Sequence, residues 1–448
     1  MINKQAIWIC VAVLLFPTAL GAVELFSLEK SVEYGLEHSP IIQGMGIRID
    51  QSDMDIKAQR GRFLPSISAG YTYTQISNIS SEGNTDDDYL DQKNDSANLR
   101  LTQVLFSGFE YKNRFERAKL DKEYQQARLE VQKLDLIYRI KSAFFELLKT
   151  RHDLVSTTQR IKRLTSDLDQ ARAFFDSRVS PYVDVLRAES DLEDSKQTLW
   201  KTETAITEYE AMLKRLMGLS QGRVTDLEVE FKGEFEDFDV FDRMDMDLDS
   251  CLDKALLNRP EISLFSLQSG MAEKDVSIVN AKYYPQVSFD VGVYDLDKRY
   301  TNEPRYDREN RYWSAGVSAK WSLFDGGSTM YEKQRYLLEI QRIDTERKQV
   351  ELEIKEEVSV TFTSLMEAKK RLVSVEKELA ASQENYARQK TRFKARIGTI
   401  SELFDAQAVL TRSESSKSQA LLDCQLLLAR LQKALGMVMT PSGETCQR

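Results

Sequence analysis

Apolar residues recur at seven-residue steps through the middle of the chain, at Ile140, Leu147, Leu154, Ile161, Leu168 and Phe175. A repeat of seven keeps one seam facing a partner only when helices supercoil left-handedly, so the pattern predicts a coiled-coil helix over about 110–178. Past Ser180 and Pro181 a second ladder runs through Val185, Leu192, Leu199, Ile206 and Leu213, predicting a helix over about 182–218 that returns antiparallel to the first. Adding 218 to each number finds both ladders again, as Val358, Leu365, Leu372, Leu379, Tyr386 and Phe393, then Leu403, Leu410, Lys417, Cys424 and Leu431. This duplication predicts further helices over about 328–396 and 400–436. At about 1.5 Å per residue each outgoing helix spans roughly 100 Å, which makes a rod.

Ahead of each helical hairpin the periodicity changes. Residues 27–40 and 247–260 match position for position as short helical stretches ending in Pro40 and Pro260, and a second helix after each stops at Pro65 and Pro285. Proline cannot continue the hydrogen-bond ladder and pushes its predecessor to extended geometry. From there apolar and polar residues alternate: Ile67, Ala69, Tyr71 and Tyr73 on one side against Ser68, Gly70, Thr72 and Thr74 on the other, with the same pattern after Pro285. Four strands are predicted, at about 65–78, 96–106, 285–295 and 312–324, with hydrophilic loops from Ile79 to Asp95 and from Asp295 to Arg311.

Alternation alone fits a transmembrane β-barrel and a soluble two-layer sheet equally. Two features favour the barrel. Trp313 and Trp321 stand eight residues apart on the apolar side, which with barrel tilt separates them by roughly 20 Å, near the height of a lipid band edged by aromatic girdles. Tyr71 and Tyr73 are the matching girdle candidates on the first strand. The opposite face of Gly, Ser, Thr and Lys has nothing to form a dry core with and suits a wet lumen. Four strands cannot close a barrel, and an open edge in hydrocarbon leaves N–H and C=O groups unsatisfied at several kcal/mol each. Copies must therefore assemble: closure near eight strands takes two, and about twelve takes three.

The N-terminus adds a compartment. Lys4, an apolar run from Ala6 to Leu20 and small residues up to Ala22 describe a secretory signal peptide over 1–22. The mature chain then divides into a first repeat, 23–218, an acidic linker, 219–246, a second repeat, 247–436, and a tail, 437–448. A net charge of −9 argues against nucleic acid, and 30% charged residues with only eight prolines suit long solvated helices. Cys424 falls on a ladder position and is expected to be a small buried hydrophobe, while a disulfide between Cys251 and Cys446 stays open. His38 and His152 are far apart, so neither zinc chemistry nor catalysis is expected, and no cofactor or metal is implied.

The duplicated order of these segments resembles the TolC-type outer-membrane efflux protein family. The likeness is carried by Phe63-Leu64-Pro65 opening a strand, by 101–106 and 321–327 closing the strand pairs, and by the hairpin tips at 182–188 and 398–406. It implies an α+β membrane protein and homotrimer, with a twelve-stranded barrel in outer-membrane lipid and a helical barrel crossing the periplasm. The trimer would be a passive conduit coupled to a periplasmic adaptor and an inner-membrane pump. It also implies that Glu402 and Asp405 form acidic rings at a periplasmic gate and that Asp184 serves a latch between neighbouring helices. The family's basic latch partner falls near Gly398, which is not basic, and Arg178 and Arg396 are the nearby candidates to replace it. Independently, Glu402 and Asp405 share one face of a helix start, where negative charge is favoured. The alternative reading is a soluble periplasmic coiled-coil adaptor or scaffold, which has no use for four lipid-height strands.

Overall fold

The computed structural model describes residues 24–76, 92–219, 229–233, 247–300 and 308–437. The predicted signal peptide, most of the loop from Ile79 to Asp95, part of the loop from Asp295 to Arg311, most of the acidic linker and Cys446 lie outside these residues.

The chain runs β1 (Glu24–Phe26), α1 (Leu28–His38), α2 (Pro40–Gly61), β2 (Ser66–Ile76), β3 (Gln92–Phe106), α3 (Glu110–Asp176) and α4 (Tyr182–Met217). After β4 (Val229–Phe231) the order repeats as α5 (Leu248–Asn258), α6 (Pro260–Asn280), a 3-10 turn (Ala281–Tyr283), β5 (Gln286–Tyr300), β6 (Arg308–Lys320), α7 (Ser328–Lys394) and α8 (Ile400–Ala434). Duplication extends to the joints. The short helices are capped alike: Ser27 Oγ accepts from the Lys30 amide at 3.2 Å and Asp247 Oδ1 from the Ser250 amide at 2.9 Å. Gly218 and Gly436 end the returning helices in the left-handed region at φ 77° and 66°. A Cβ there would stand 2.5 Å from the His38 carbonyl oxygen and 2.8 Å from that of Asn258, so each joint requires glycine twice over.

The predicted ladders are the seams of the rod. α3 packs against α4, α7 against α8, and α3 against α8, giving the order α4, α3, α8, α7 across the protein. Ile140, Leu147, Leu213, Val358, Leu365 and Leu431 are all essentially excluded from solvent, each such side chain contributing about 1.5–3 kcal/mol. One rung departs: Phe175 is 40% exposed, and Phe174 packs in its place beside Leu164, Leu168 and Ala171. Near the tip α3 faces the second hairpin as well as α4, and the spacing 164, 168, 171, 174 of an ordinary helix face replaces the heptad. Cys251 and Cys424 are buried thiols that form no disulfide among the described residues, and burial pushes the Cys424 thiol up to about 11.

The segment between the repeats is more than a linker. β4 pairs in parallel with β1, setting Phe231 and Phe26, both fully buried, with ring centroids 6.2 Å apart. Phe231 also meets the ring of Phe144 edge-on, and Arg151 donates to its carbonyl. These apolar anchors are isolated in an acidic run, which hid the strand from periodicity.

The sheet runs β2-β3-β5-β6, antiparallel throughout, with one register shift between Val104 and Phe106. β3 and β5 extend further into the polar stretches than expected, because Gln92–Asp95 and Leu296–Tyr300 continue the cross-strand pairing that the apolar pattern no longer marks. β6 ends at Lys320, so Trp321 stands just past the strand rather than within it. No helix among the described residues is long and apolar enough to cross a membrane.

Candidate functional site

Cross-strand register sorts the sheet into two faces. Tyr71, Ala97, Asp295 and Arg311 share one row, and below it Leu99, Val293 and Trp313 share another. This face continues through Ile67, Leu101, Val291, Ala315 and Val317. It covers no core: Tyr71 is 70%, Trp313 74% and Val317 66% exposed. Its ends are marked by polar anchors. At one, Tyr71 Oη donates to Asp95 Oδ1 at 2.5 Å, Tyr73 Oη donates to Gln75 Oε1 at 3.2 Å, and Arg311 Nε donates to Asp295 Oδ2 at 3.0 Å. At the other, Trp321 Nε1 donates to the Tyr283 carbonyl at 3.1 Å, which still places an amphipathic ring at the foot of the band. The other face carries Ser68, Gly70, Thr72, Asn98, Arg100, Asp290, Tyr294, Tyr312 and Ser318. Here Thr102 donates to Asp290 at 2.7 Å, and Tyr294 and Tyr312 stack.

About a hundred ångströms away along the rod, the two hairpin tips meet. Their turns are built alike. The Arg178 and Val179 amides donate to the carbonyls of Phe175 and Phe174 at 2.8 Å each, and the Arg396 and Ile397 amides to those of Phe393 and Arg392 at 3.0 and 2.9 Å. Arg178 and Arg396 occupy the left-handed region at φ 57° and 59°, a conformation that costs a side-chain-bearing residue about 1–2 kcal/mol. The turn, more than a charge contact, explains where these two residues sit. The Arg396 guanidinium lies 5.7 Å from the Phe174 ring. Neither Arg178 nor Asp184 makes an ion pair among the described residues.

Glu402 and Asp405 both have partners that heptad reading did not single out. Glu402 forms a capping box with Thr399 and lies 3.8 Å from Arg392. Gly398 sits close beside it: a Cβ there would stand 3.2 Å from Glu402 Oε2 and 3.3 Å from Arg392 Cβ. Asp405 Oδ1 accepts from Arg187 Nη2 at 3.3 Å, and Arg187 Nη1 reaches Ser401 Oγ at 3.1 Å while the guanidinium covers the Phe404 ring. Arg187 and Asp405 are 218 apart, so the two tips join through equivalent positions of the two repeats. Opposite charge at repeat-related sites was the available signal for this pair.

About three turns inward along α3 from the tip lies a buried charge. Asp167 on α3 is 1% exposed, and neither of its carboxylate oxygens has a hydrogen-bond partner. Lys390 Nζ on α7 stands 3.6 Å away, beyond hydrogen-bond reach, and contacts Tyr386 Oη at 3.2 Å. Burial pushes the Asp167 carboxyl up, outweighing Lys390 and Arg163. Burial pulls Lys390 down, but the Tyr386 hydroxyl and Asp167 together raise it on balance. Of the other nearby charges, Arg163 faces Glu414 on α8 at 3.2 Å, and Lys394 adds a further positive charge. No group of three His, Cys, Asp or Glu among the described residues is placed to hold a metal ion.

Set beside known proteins, residues 33–219 and 251–437 each match the family model described as outer membrane efflux protein. Outer membrane protein TolC of Vibrio cholerae is 19% identical over 430 residues, covering 94% of this chain and 92% of its own. Among solved structures, the CmeC outer membrane channel of Campylobacter jejuni superposes with a TM-score of 0.76 at 12% identity, covering 91% of this chain and 85% of its own. The outer membrane protein VceC of Vibrio cholerae gives 0.70 at 14% identity, over 91% and 96%. At these identities the structural likeness speaks to the fold, and the two matched segments of the family model coincide with the two repeats seen in the backbone.

Proposed function

The chain belongs to the outer membrane efflux protein family, and from that premise we propose that three copies enclose one continuous water-filled conduit through the outer membrane and across the periplasm. The protein is an outer-membrane channel protein with a long periplasmic helical extension. One observation supports closure by further copies: the sheet has two edges, β2 and β6, that pair with nothing among the described residues, and an apolar face open to the surroundings. In hydrocarbon such edges are untenable. Joining β6 of one copy to β2 of the next satisfies both, and three copies give a barrel of about twelve strands with the polar face inward. The rod supports the same closure, since α4 and α7 each lie at a margin of the four-helix order and expose Trp200 and Leu352 at 61% and 66%.

Within this reading residues 1–22 are the export signal, and Trp313, Trp321, Tyr71 and Tyr73 form the aromatic girdles. Glu402 and Asp405 ring the narrow periplasmic end, where symmetry-related carboxylates attract cations. Arg187 and Arg392, which do pair with these acids, take the latch role, with Asp184, Arg178 and Arg396 shaping the turns around them. A periplasmic adaptor and an inner-membrane pump would supply substrate and energy, and the first tip, with Tyr182 and Val183 exposed at 53% and 63%, presents apolar surface for such a partner.

Extraction of outer membranes with detergent should yield a particle with the mass of three chains, and planar bilayers should show its conductance. A monomer recovered from the soluble periplasm overturns the reading.

A further inference from the structure

We propose that the polar face of the sheet carries a binding site for flat aromatic anions, built by Arg100, Tyr294 and Tyr312. The inference deepens the channel reading, on which it rests for the direction of that face.

Register places Asn98, Tyr294 and Tyr312 in one row and Arg100, Gly292 and Ser314 in the next. The two tyrosine rings stack with centroids 5.0 Å apart and planes 16° from parallel. Arg100 Nη2 donates to Tyr294 Oη at 3.1 Å, and the guanidinium lies 5.9 Å from that ring's centroid. Gly292 allows this arrangement, because a Cβ there would stand 2.8 Å from the Tyr294 ring, and beside it Gly316 leaves open space within 4 Å. The result is an aromatic shelf with a cation at its edge and an empty floor next to it.

The cation is uncompensated. Arg100 makes no ion pair among the described residues. The carboxylate on the same face, Asp290, is held by Thr102 at 2.7 Å and Ser288 at 3.2 Å. The other charged side chains assigned by register to this face, Lys298, Arg308 and Lys320, are all basic. A planar ring bearing a carboxylate or sulfonate would stack on the tyrosines and pair with the guanidinium fork in one plane. A small anion would satisfy only the charge, and a neutral ring only the shelf. Threefold repetition would set three such sites around the lumen, near the outward end of the path and opposite in sign to the acidic periplasmic end.

The test uses the full-length protein and 2-naphthalenesulfonate, with methanesulfonate and 2-naphthol as half-ligands. In planar bilayers the naphthalenesulfonate should reduce current at about tenfold lower concentration than either half-ligand, and Arg100→Gln and Tyr312→Ser should each raise its half-blocking concentration about tenfold, the scale of one charge-assisted contact. Arg100→Lys should recover part of the effect. Equal block by methanesulfonate, or block unchanged in Arg100→Gln, overturns the site. Absence of any conductance would instead overturn the channel reading. Calorimetric titration of the detergent-solubilised protein with the same sulfonate then decides the site alone: affinity about tenfold weaker in Arg100→Gln supports it, and equal affinity removes it.

Discussion

The two hairpin tips share a backbone and differ in what they do with it. In the second tip Phe393, Ile400, Leu403 and Phe404 are at most 6% exposed and seal a common cluster. Their equivalents in the first tip, Phe175, Tyr182, Val185 and Leu186, are buried only at Val185, the others being 40%, 53% and 48% exposed. The second tip also has a capping box, whereas Pro181 begins the helix of the first without a side-chain cap. Duplication preserved the turn, including the left-handed arginine in each, and freed the side chains to divide the work. One tip closes on its own chain; the other offers apolar surface outward.

The comparison is broken most severely where the repeats have not diverged. Alanine at Gly218 or Gly436 meets both a left-handed backbone, at about 1–2 kcal/mol, and a carbonyl oxygen that must move, at about 1–3 kcal/mol more. Each substitution should lower the thermal midpoint of the purified protein by several degrees, and by similar amounts in the two repeats. Gly326, at φ 70° but with open space around it, is the control: alanine there should cost only the torsional part. A loss at Gly218 no larger than at Gly326 would show that the joint is soft.

Periodicity made the rod legible because its seams are long and their chemistry uniform. Rungs such as Ile140, Leu147, Leu213, Val358, Leu365 and Leu431 are buried as expected, while Leu154, Ile161, Leu199, Ile206, Leu372, Leu379 and Lys417 are half-buried. Phe175 failed because at the tip Phe174 turns into the shared cluster and meets the Phe393 ring instead, a tertiary fact that no single-helix pattern holds. The strands were visible while apolar and polar residues alternated, and lost where Asp297 and Arg299 carry the pairing onward with charged side chains. Within the candidate site, the acids Glu402 and Asp405 are legible through the family resemblance and Arg187 is not, since its partner lies 218 residues away. Asp167 hid inside an ordinary run of helical charges, and only packing distinguishes it from its solvated neighbours.

Asp167 sharpens the contrast between repeats at an intermediate scale. Its equivalent, Asn385, is exposed, so the buried charge belongs to one repeat alone. A carboxyl whose folded pKa is raised above its unfolded value stabilises most below the unfolded value, and that contribution is lost as pH rises through the folded one. The window therefore opens near 3.8 and extends upward, while Lys390, raised from 10.5, keeps its charge throughout. Asp167→Asn should leave the neutral-pH stability equal or raise it by up to about 1 kcal/mol, with Lys390 retaining the Tyr386 hydroxyl. It should also flatten the rise in stability on acidification. A variant strongly destabilised at neutral pH would mean that the ion pair outweighs the burial of its charge.

The smallest stability effect belongs to the bond between the tips, and its functional effect need not be small. Arg187 and Asp405 are 47% and 71% exposed at their side chains, and pairs of that kind contribute about 0–1 kcal/mol. Arg187→Ala should therefore leave the unfolding midpoint nearly unchanged. If the pair holds the narrow end closed, the same substitution should raise resting conductance in bilayers, and Asp405→Ala should do so as well. Exchanging the two charges, Arg187→Asp with Asp405→Arg, should restore the low conductance while reversing the charge presented by the second tip, so the ion selectivity should shift even as closure returns. Low conductance in all three variants would place the barrier elsewhere. Recovery of closure without any change of selectivity would separate the latch from the acidic ring and leave Glu402, held by its capping box rather than by the other tip, as the group that sets the field.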